Sequence, residues 1–117
     1  MKKAGGWRND AYIFKISDSG VESIKNFDVN YHVKVDVNNI RKIKYDRDVG
    51  STGTRILIWP KDYNKLKEGG FKFDDKVLEY YKKHRLPVIL FPPAMSRTER
   101  KRLKEAIKEF KRINDIE

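Results

Sequence analysis

Cationic side chains crowd one stretch of this chain. Between positions 82 and 104 there are eight lysine and arginine residues and a single acid, Glu99. The cations are Lys82, Lys83, Arg85, Arg97, Arg100, Lys101, Arg102 and Lys104. Several of them fall at the start of a predicted helix, where the macrodipole is already positive and acidic side chains are favoured. Their position there is explained if the helix start binds an anion.

Phosphate is the anion that these residue types suit best. The first turn of a helix presents free backbone N–H groups. Hydroxyl and guanidinium groups beside them add further donors to an oxyanion. The segment also follows a short apolar strand, and open α/β sheets often bind ligands just beyond their strands. We therefore predict a phosphate-binding surface formed by Lys82, Lys83, Arg85, Ser96, Arg97, Thr98, Arg100, Lys101 and Lys104, together with Arg41 and Lys42. The alternative is a solvated basic face on which Glu99 compensates the local charge.

The charge of the whole chain points to the same class of partner. Lysine and arginine number 27 against 17 acids, which gives a formal net charge of +10 and a pI near 9.8. Such an excess costs self-repulsion and is typical of proteins that bind a polyanion. The sequence thus predicts a non-enzymatic nucleic-acid-binding domain that contacts mainly phosphates of DNA or RNA. An acidic protein partner is the alternative within the binding class.

Carboxylates allow a different hypothesis. Asp36, Asp46 and Asp48 lie on or beside successive predicted strands, with Lys44 close in sequence. Acids and a lysine at one sheet edge are what a metal-dependent nuclease uses to hold an activated water. The main interpretation assigns no catalytic residue, no cofactor and no metal, and a small nuclease using these residues is the alternative. His32 and His84, the only histidines, are explained by the polar face of a strand and the end of a helix.

A glycine-rich hairpin lies beyond these carboxylates. The order Asp48-Val49-Gly50-Ser51-Thr52 resembles the phosphate hairpin of the actin-like ATPase and sugar-kinase superfamily. That resemblance implies backbone amides able to contact a phosphate. It covers the hairpin alone, since those enzymes need two large domains and further nucleotide-binding segments. We interpret the stretch as a loop between two strands.

Composition limits the remaining classes. At 117 residues the chain fits one domain. Cysteine is absent, so disulfides and thiolate metal sites are excluded. No apolar run approaches about 20 residues and the start has no apolar leader segment, so we expect no membrane partner and a cytoplasmic location. The abundance of charged residues and the lack of glutamine are typical of thermophile proteins.

Periodicity predicts the order of the elements. Strands are expected at 11–16, 32–37, 40–45, 55–59 and 88–91, and helices at 21–27, 63–66, 74–85 and from Ser96 onward, with Asp74 and Ser96 as the N-caps of the last two. Residues 1–10 are interpreted as a loosely ordered N-terminal extension of a single domain, 1–117. Strand 55–59, helix 74–85 and strand 88–91 have the order of a right-handed βαβ unit. The predicted fold class is α+β: one mixed, mainly antiparallel sheet of about five strands, with strand 88–91 central and the amphipathic C-terminal helix packed on it.

Aromatic side chains bear on the kind of nucleic acid. Trp7, Tyr12, Tyr31 and Trp59 have rings that could stack on bases. Aromatic residues in strands usually belong to the core, however. The sequence therefore favours duplex or structured RNA over single strands.

Overall fold

The computed structural model describes residues 7–9, 14–24, 32–47, 54–92 and 96–117. For residues 7–9 and Ile24 it describes the backbone alone. These residues form an α+β fold of seven strands and two α-helices, with two 3-10 helices at Val37–Asn39 and Tyr63–Gly69. The strands are β1 (Trp7–Asn9), β2 (Phe14–Ser17), β3 (Gly20–Ile24), β4 (His32–Asp36), β5 (Ile40–Arg47), β6 (Thr54–Pro60) and β7 (Val88–Leu90). The helices are α1 (Asp75–His84) and α2 (Arg97–Ile113). The radius of gyration, 13.8 Å, matches the roughly 13 Å expected of one compact domain.

The first sheet is a four-stranded antiparallel meander in the order β1-β2-β3-β4. Alternation sets its faces: Phe14, Ile16, Val33 and Val35 are buried, while the residues between them are half-buried or exposed. The helix predicted over 21–27 is wrong in its first part, because Gly20–Ile24 is β3. Three apolar residues at spacings of three fit a helix, but the cross-strand partners of β2 and β4 impose the period of a strand. Residues 25–27 lie outside the described residues.

The second sheet is three-stranded, in the order β5-β6-β7, and all of its pairings are antiparallel. The predicted βαβ unit is therefore wrong, and β7 is an edge strand and not a central one. The physical reason lies in the connection from β6 to β7. The second 3-10 helix and α1 have similar lengths, about 14 and 15 Å, and lie against each other. The 3-10 helix leads the chain away from the end of β6 and α1 leads it back, so β7 starts beside the end of β6.

The single five-stranded sheet is also replaced by two sheets. A 3-10 turn, Val37–Asn39, separates β4 from β5, and the Asp36 carboxylate caps it by accepting the Asn38 N–H at 2.9 Å. This turn redirects the chain, so β5 begins a new sheet.

Helix α2 joins the two sheets over one core. It lies against β2 of the first sheet and β5 of the second, and it buries Leu103, Ala106, Ile107 and Phe110. These side chains belong to a single apolar cluster that includes residues from both sheets. The prediction of a C-terminal amphipathic helix packed on a sheet is confirmed. Ile113 of α2 and Val77 of α1 are each 39% exposed.

Helix ends follow their capping residues. Asp74 accepts the Val77 N–H at 2.8 Å and starts α1, as its position predicted. The second 3-10 helix ends at Gly70, whose φ of 96° lies in the left-handed region. Neither α1 nor α2, nor either of the 3-10 helices described, is long and apolar enough to cross a bilayer.

A buried amide fastens the second 3-10 helix to the strand connection. Asn39 is 7% exposed, and its side chain donates Nδ2–H to the Asp62 carbonyl at 3.0 Å and accepts the Asp62 N–H at 2.8 Å. The Lys61 N–H in turn donates to the Asn39 carbonyl at 2.9 Å. Asn39 therefore satisfies both backbone groups of Asp62 at the point where β6 gives way to the helix.

Asn39→Asp is expected to lower the free energy of unfolding by about 2 to 3 kcal/mol, because a carboxylate cannot donate to the Asp62 carbonyl. Urea unfolding at neutral pH measures this loss. The loss should shrink in acid, where a protonated carboxyl regains a donor. Asn38→Asp is the matched control, since Asn38 is exposed and is bound through its backbone. Equal losses at the two positions would contradict the role of the buried amide.

Candidate nucleic-acid interface

The start of α2 is exposed to solvent, and one of the backbone N–H groups of its first turn already donates to a side chain of the protein. Ser96 Oγ accepts the Glu99 N–H at 3.2 Å, which is the cap that the sequence predicted. Arg97, Thr98 and Lys101 are exposed. Arg100 is half-buried and makes an interaction within the protein. The predicted phosphate site is thus a capped helix start surrounded by solvated cations.

The cations between 82 and 104 belong to two helices, one on each side of β7 in the chain. Those that end α1 precede β7 by a few residues, and those that begin α2 follow β7. The chain passes Lys82, Lys83 and Arg85 before it enters β7 at Val88. It reaches Arg97 and Lys101 after it leaves β7 at Leu90. Lys104 lies one turn after Lys101 on α2, with its Nζ 5.7 Å from the ring centroid of Tyr45 on β5.

Tertiary structure instead gathers cations at one end of the second sheet. Ile40 pairs with Pro60, Lys42 pairs with Trp59, and the register shift between Ile40 and Lys42 places Arg41 in a bulge. Lys61 directly follows β6, and Arg85 lies just before β7 at this same end. We call Arg41, Lys42, Lys61 and Arg85 the basic end. Three of these residues were predicted, and Lys61 was missed because it stands alone in the sequence.

Tyr63 lies within electrostatic reach of both arginines of the basic end. Its buried hydroxyl donates to the Leu86 carbonyl at 2.7 Å. Burial raises the pKa of Tyr63 above its ordinary value, and the positive charges of Arg41 and Arg85 both act in the opposite direction. Guanidinium groups from a strand bulge and from a helix end thus lie within electrostatic reach of the same hydroxyl.

The backbone of Arg85 is unusual for a residue with a side chain. It is the C-cap of α1, in the left-handed conformation with φ 52° and ψ 48°. The Leu86 N–H donates to the Tyr81 carbonyl at 3.0 Å and completes the helix end. Glycine is the usual residue at such a position, and a side chain there costs roughly 1 kcal/mol. The positive charge of Arg85 is favoured at this helix C-terminus by the macrodipole, which offsets part of that backbone cost.

The outer face of the second sheet borders the basic end. Residues that alternate with the buried Ile56 and Ile58 lie on this face and are half-buried. The outer face comprises Lys42, Lys44 and Asp46 of β5, Arg55, Leu57 and Trp59 of β6, and Ile89 of β7. The Lys42 ammonium lies 5.1 Å from the centroid of the Trp59 ring. Trp59 is therefore a surface residue, against the expectation from its strand position.

Asp36 and Asp46, two of the carboxylates of the nuclease alternative, do not converge. Asp36 caps a 3-10 helix at the end of the first sheet, and Asp46 forms an ion pair with Arg55 on the second. Strand β5 runs away from the Asp36 end, and about 20 Å of strand separate Ile40 from Asp46. Lys44 is exposed on the outer face, and Asp48 lies outside the described residues. In the described ranges, no three histidine or acidic side chains are grouped so as to hold a metal ion.

A cleft of about 630 Å³ lies between β4 and the second 3-10 helix. The polar face of the first sheet forms one side, where Glu22 receives hydrogen bonds from His32 at 2.9 Å and Lys15 at 3.3 Å. Burial disfavours the charged carboxylate of Glu22, but these two bonds outweigh it and hold its pKa below the ordinary value. The second histidine, His84, is not part of this group; its ring centroid lies 4.4 Å from that of Tyr80 on α1. Glu22 and its partners thus satisfy one another as a structural ion-pair network.

Two surfaces therefore stand out, the basic end and the outer face, and they meet at Lys42 and Trp59. No family model matches the chain, and no match was found among curated proteins or solved structures. The functional argument accordingly rests on the geometry of these two surfaces.

Proposed function

We propose that this protein binds nucleic acid, mainly through contacts to backbone phosphates, and that it acts without catalysis. The observation that carries the proposal is the convergence of exposed cations from three separate segments on the basic end. Arg41 comes from the β5 bulge, Lys61 from the residue after β6, and Arg85 from the end of α1. A phosphate that reaches this end meets several donors at once.

Electrostatics explains why a polyanion is the favoured partner. Cations that lie within about 8 Å of one another repel each other in the free protein, because physiological salt screens them incompletely at that distance. A phosphate removes that repulsion and accepts paired hydrogen bonds from a guanidinium. The net charge of +10 extends the attraction over the whole surface.

The position of Arg85 adds a second argument. A residue that costs stability where it stands is more readily explained by a ligand than by the fold. Arg85 occupies a left-handed cap that suits glycine, and its exposed side chain, like that of Arg41, lies within electrostatic reach of Tyr63. This placement suits Arg85 and Arg41 to bind a phosphate together.

A salt titration tests the proposal directly. Binding to a random-sequence duplex and a random single strand is measured by fluorescence anisotropy over a range of salt concentrations. Log K is expected to fall linearly with log salt, with a duplex slope of about −3 to −4 if the four cations of the basic end each contact a phosphate. The absence of binding to either nucleic acid at low salt, with binding to an acidic protein, would overturn the proposal. Substrate cleavage in Mg²⁺ that Asp46→Asn abolishes would support the nuclease alternative instead.

A further inference from the structure

The apolar residues on the outer face do not belong to the hydrophobic core. Leu57, Trp59 and Ile89 lie outside the apolar cluster that unites the two sheets. The helices lie on other surfaces, α2 against β5 and β2 through core side chains and α1 against the second 3-10 helix. Phe91, two residues beyond Ile89, is 50% exposed. Aromatic and aliphatic groups are thus displayed on a sheet face whose neighbours are cations.

The strand register sets the spacing of the two aromatic rings. Leu57 is paired with Ile89 and Ile56 with Leu90. Continuing this register one position past the end of β7 puts Phe91 beside Arg55, four positions from Trp59 along β6. Four residues of strand span about 13 Å. Leu57 and Ile89 lie between the two rings. A sheet face with separated aromatic residues is suited to hold successive unstacked bases.

Positively charged side chains of β5 and β6 lie beside these rings. Lys42 and Lys44 project from β5 along one border of the face, and Arg55 lies on β6 in an ion pair with Asp46. Lys42 covers the Trp59 ring in the free protein. A cation over a partly exposed ring is worth less than a base stacked on it, so a base can displace the ammonium. The displaced Lys42 is then placed to contact the phosphate of that nucleotide.

We infer that the outer face binds unpaired bases by stacking on Trp59 and Phe91, so that the ligand of this protein is single-stranded nucleic acid. This inference rests on the proposed function and specifies its substrate class. A duplex presents only base edges and phosphates, which leaves the faces of these rings without partners. A single strand uses both surfaces, with its bases on the outer face and its phosphates at the basic end. It also replaces the preference for duplex that the sequence favoured.

Substitution of the ring tests the inference. Fluorescently labelled oligo(dT) and a blunt-ended duplex of the same length are titrated with wild type, Trp59→Leu, Trp59→Phe and Phe91→Leu at one salt concentration. Trp59→Leu keeps an apolar side chain but removes the stacking surface, and it should weaken oligo(dT) binding about 5- to 150-fold. Phe91→Leu should act in the same direction, and Trp59→Phe should retain most of the affinity. Duplex affinity should stay unchanged in all three variants.

Tyr80→Leu is the control, because Tyr80 is an aromatic residue 57% exposed on α1, away from the outer face. Its affinity for oligo(dT) should equal that of wild type. Equal weakening of strand and duplex by Trp59→Leu, or an unchanged oligo(dT) affinity, would overturn the inference while leaving the proposed function intact. Failure of the wild-type protein to bind either nucleic acid would instead overturn the proposed function. Restored binding in Trp59→Phe separates loss of stacking from loss of folding.

Discussion

Gly69→Ala is expected to destabilise the protein by about 3 kcal/mol, at the upper end of the range for overpacked sites. A Cβ at this position would lie 2.0 Å from the carbonyl oxygen of Lys34 on β4, and a backbone oxygen cannot turn aside. The next residue is under the same constraint, since a Cβ on Gly70 would lie 2.2 Å from the His32 carbonyl oxygen. The two glycines bring the end of the second 3-10 helix directly onto the free edge of β4.

Thermal unfolding measures this effect, and the melting temperature should fall by roughly 10 °C. The direction is informative because alanine is intrinsically preferred over glycine within a helix by about 1 kcal/mol. Propensity alone therefore predicts stabilisation, and close packing predicts the reverse. Glu68→Ala, at the exposed neighbouring position, serves as the control and should change stability little. A Gly69→Ala variant as stable as wild type would show that β4 and the helix are not in close contact.

Removal of the basic end is expected to cause the largest loss of binding. The variant Arg41→Ala, Lys42→Ala, Arg85→Gly eliminates two guanidinium groups and one ammonium group. Charge-assisted contacts to phosphate are worth about 1.5 to 3 kcal/mol each before solvent screening. With about 1 kcal/mol retained for each at this exposed site, affinity should drop by roughly 100-fold or more. The duplex salt slope should become shallower by about 2 to 3, as three phosphate contacts are lost.

Glycine is chosen at position 85 because the left-handed backbone there suits it, so this variant should fold with undiminished stability. The charge-matched control is Arg97→Ala, Arg102→Ala, Lys108→Ala, which also removes two arginines and one lysine, all exposed on α2. It should weaken binding far less, because these cations surround a solvated helix and do not face one point. Equal losses in the two variants would mean that net charge acts diffusely. A larger loss in the α2 variant would place the site at the helix start.

Local signals predicted most of the elements correctly. The alternation of valines in 32–37 predicted β4 with its buried and polar faces, and the polar caps Asp74 and Ser96 predicted where α1 and α2 begin. Strand alternation and capping depend on neighbours in sequence, so they are visible without a fold. The strand β3 was missed because Val21 also fits a helical period, and its pairing with Val35 is a contact between distant residues.

The pairing of β6 with β7 was beyond local signals for a related reason. The order strand, helix, strand is compatible with a parallel or an antiparallel pair. The second 3-10 helix decides between them, because α1 lies against it and returns the chain to the end of β6 from which it left. Its docking on β4 depends on Gly69 and Gly70, which in sequence look only like the end of a helix.

What the sequence by itself determined is the class of the molecule: an α+β domain with a large positive charge and an amphipathic C-terminal helix. Composition and periodicity are properties of the chain, and they survive any arrangement of its elements. Only the tertiary structure decided which cations face one another and which aromatic residues remain outside the core. Arg41 and Arg85 are far apart in sequence and meet around Tyr63, while Trp59 reads as a core residue in its strand yet lies on the outer face. Both outcomes depend on how the two sheets and their connections pack, because burial and charge proximity are set by contacts between distant segments.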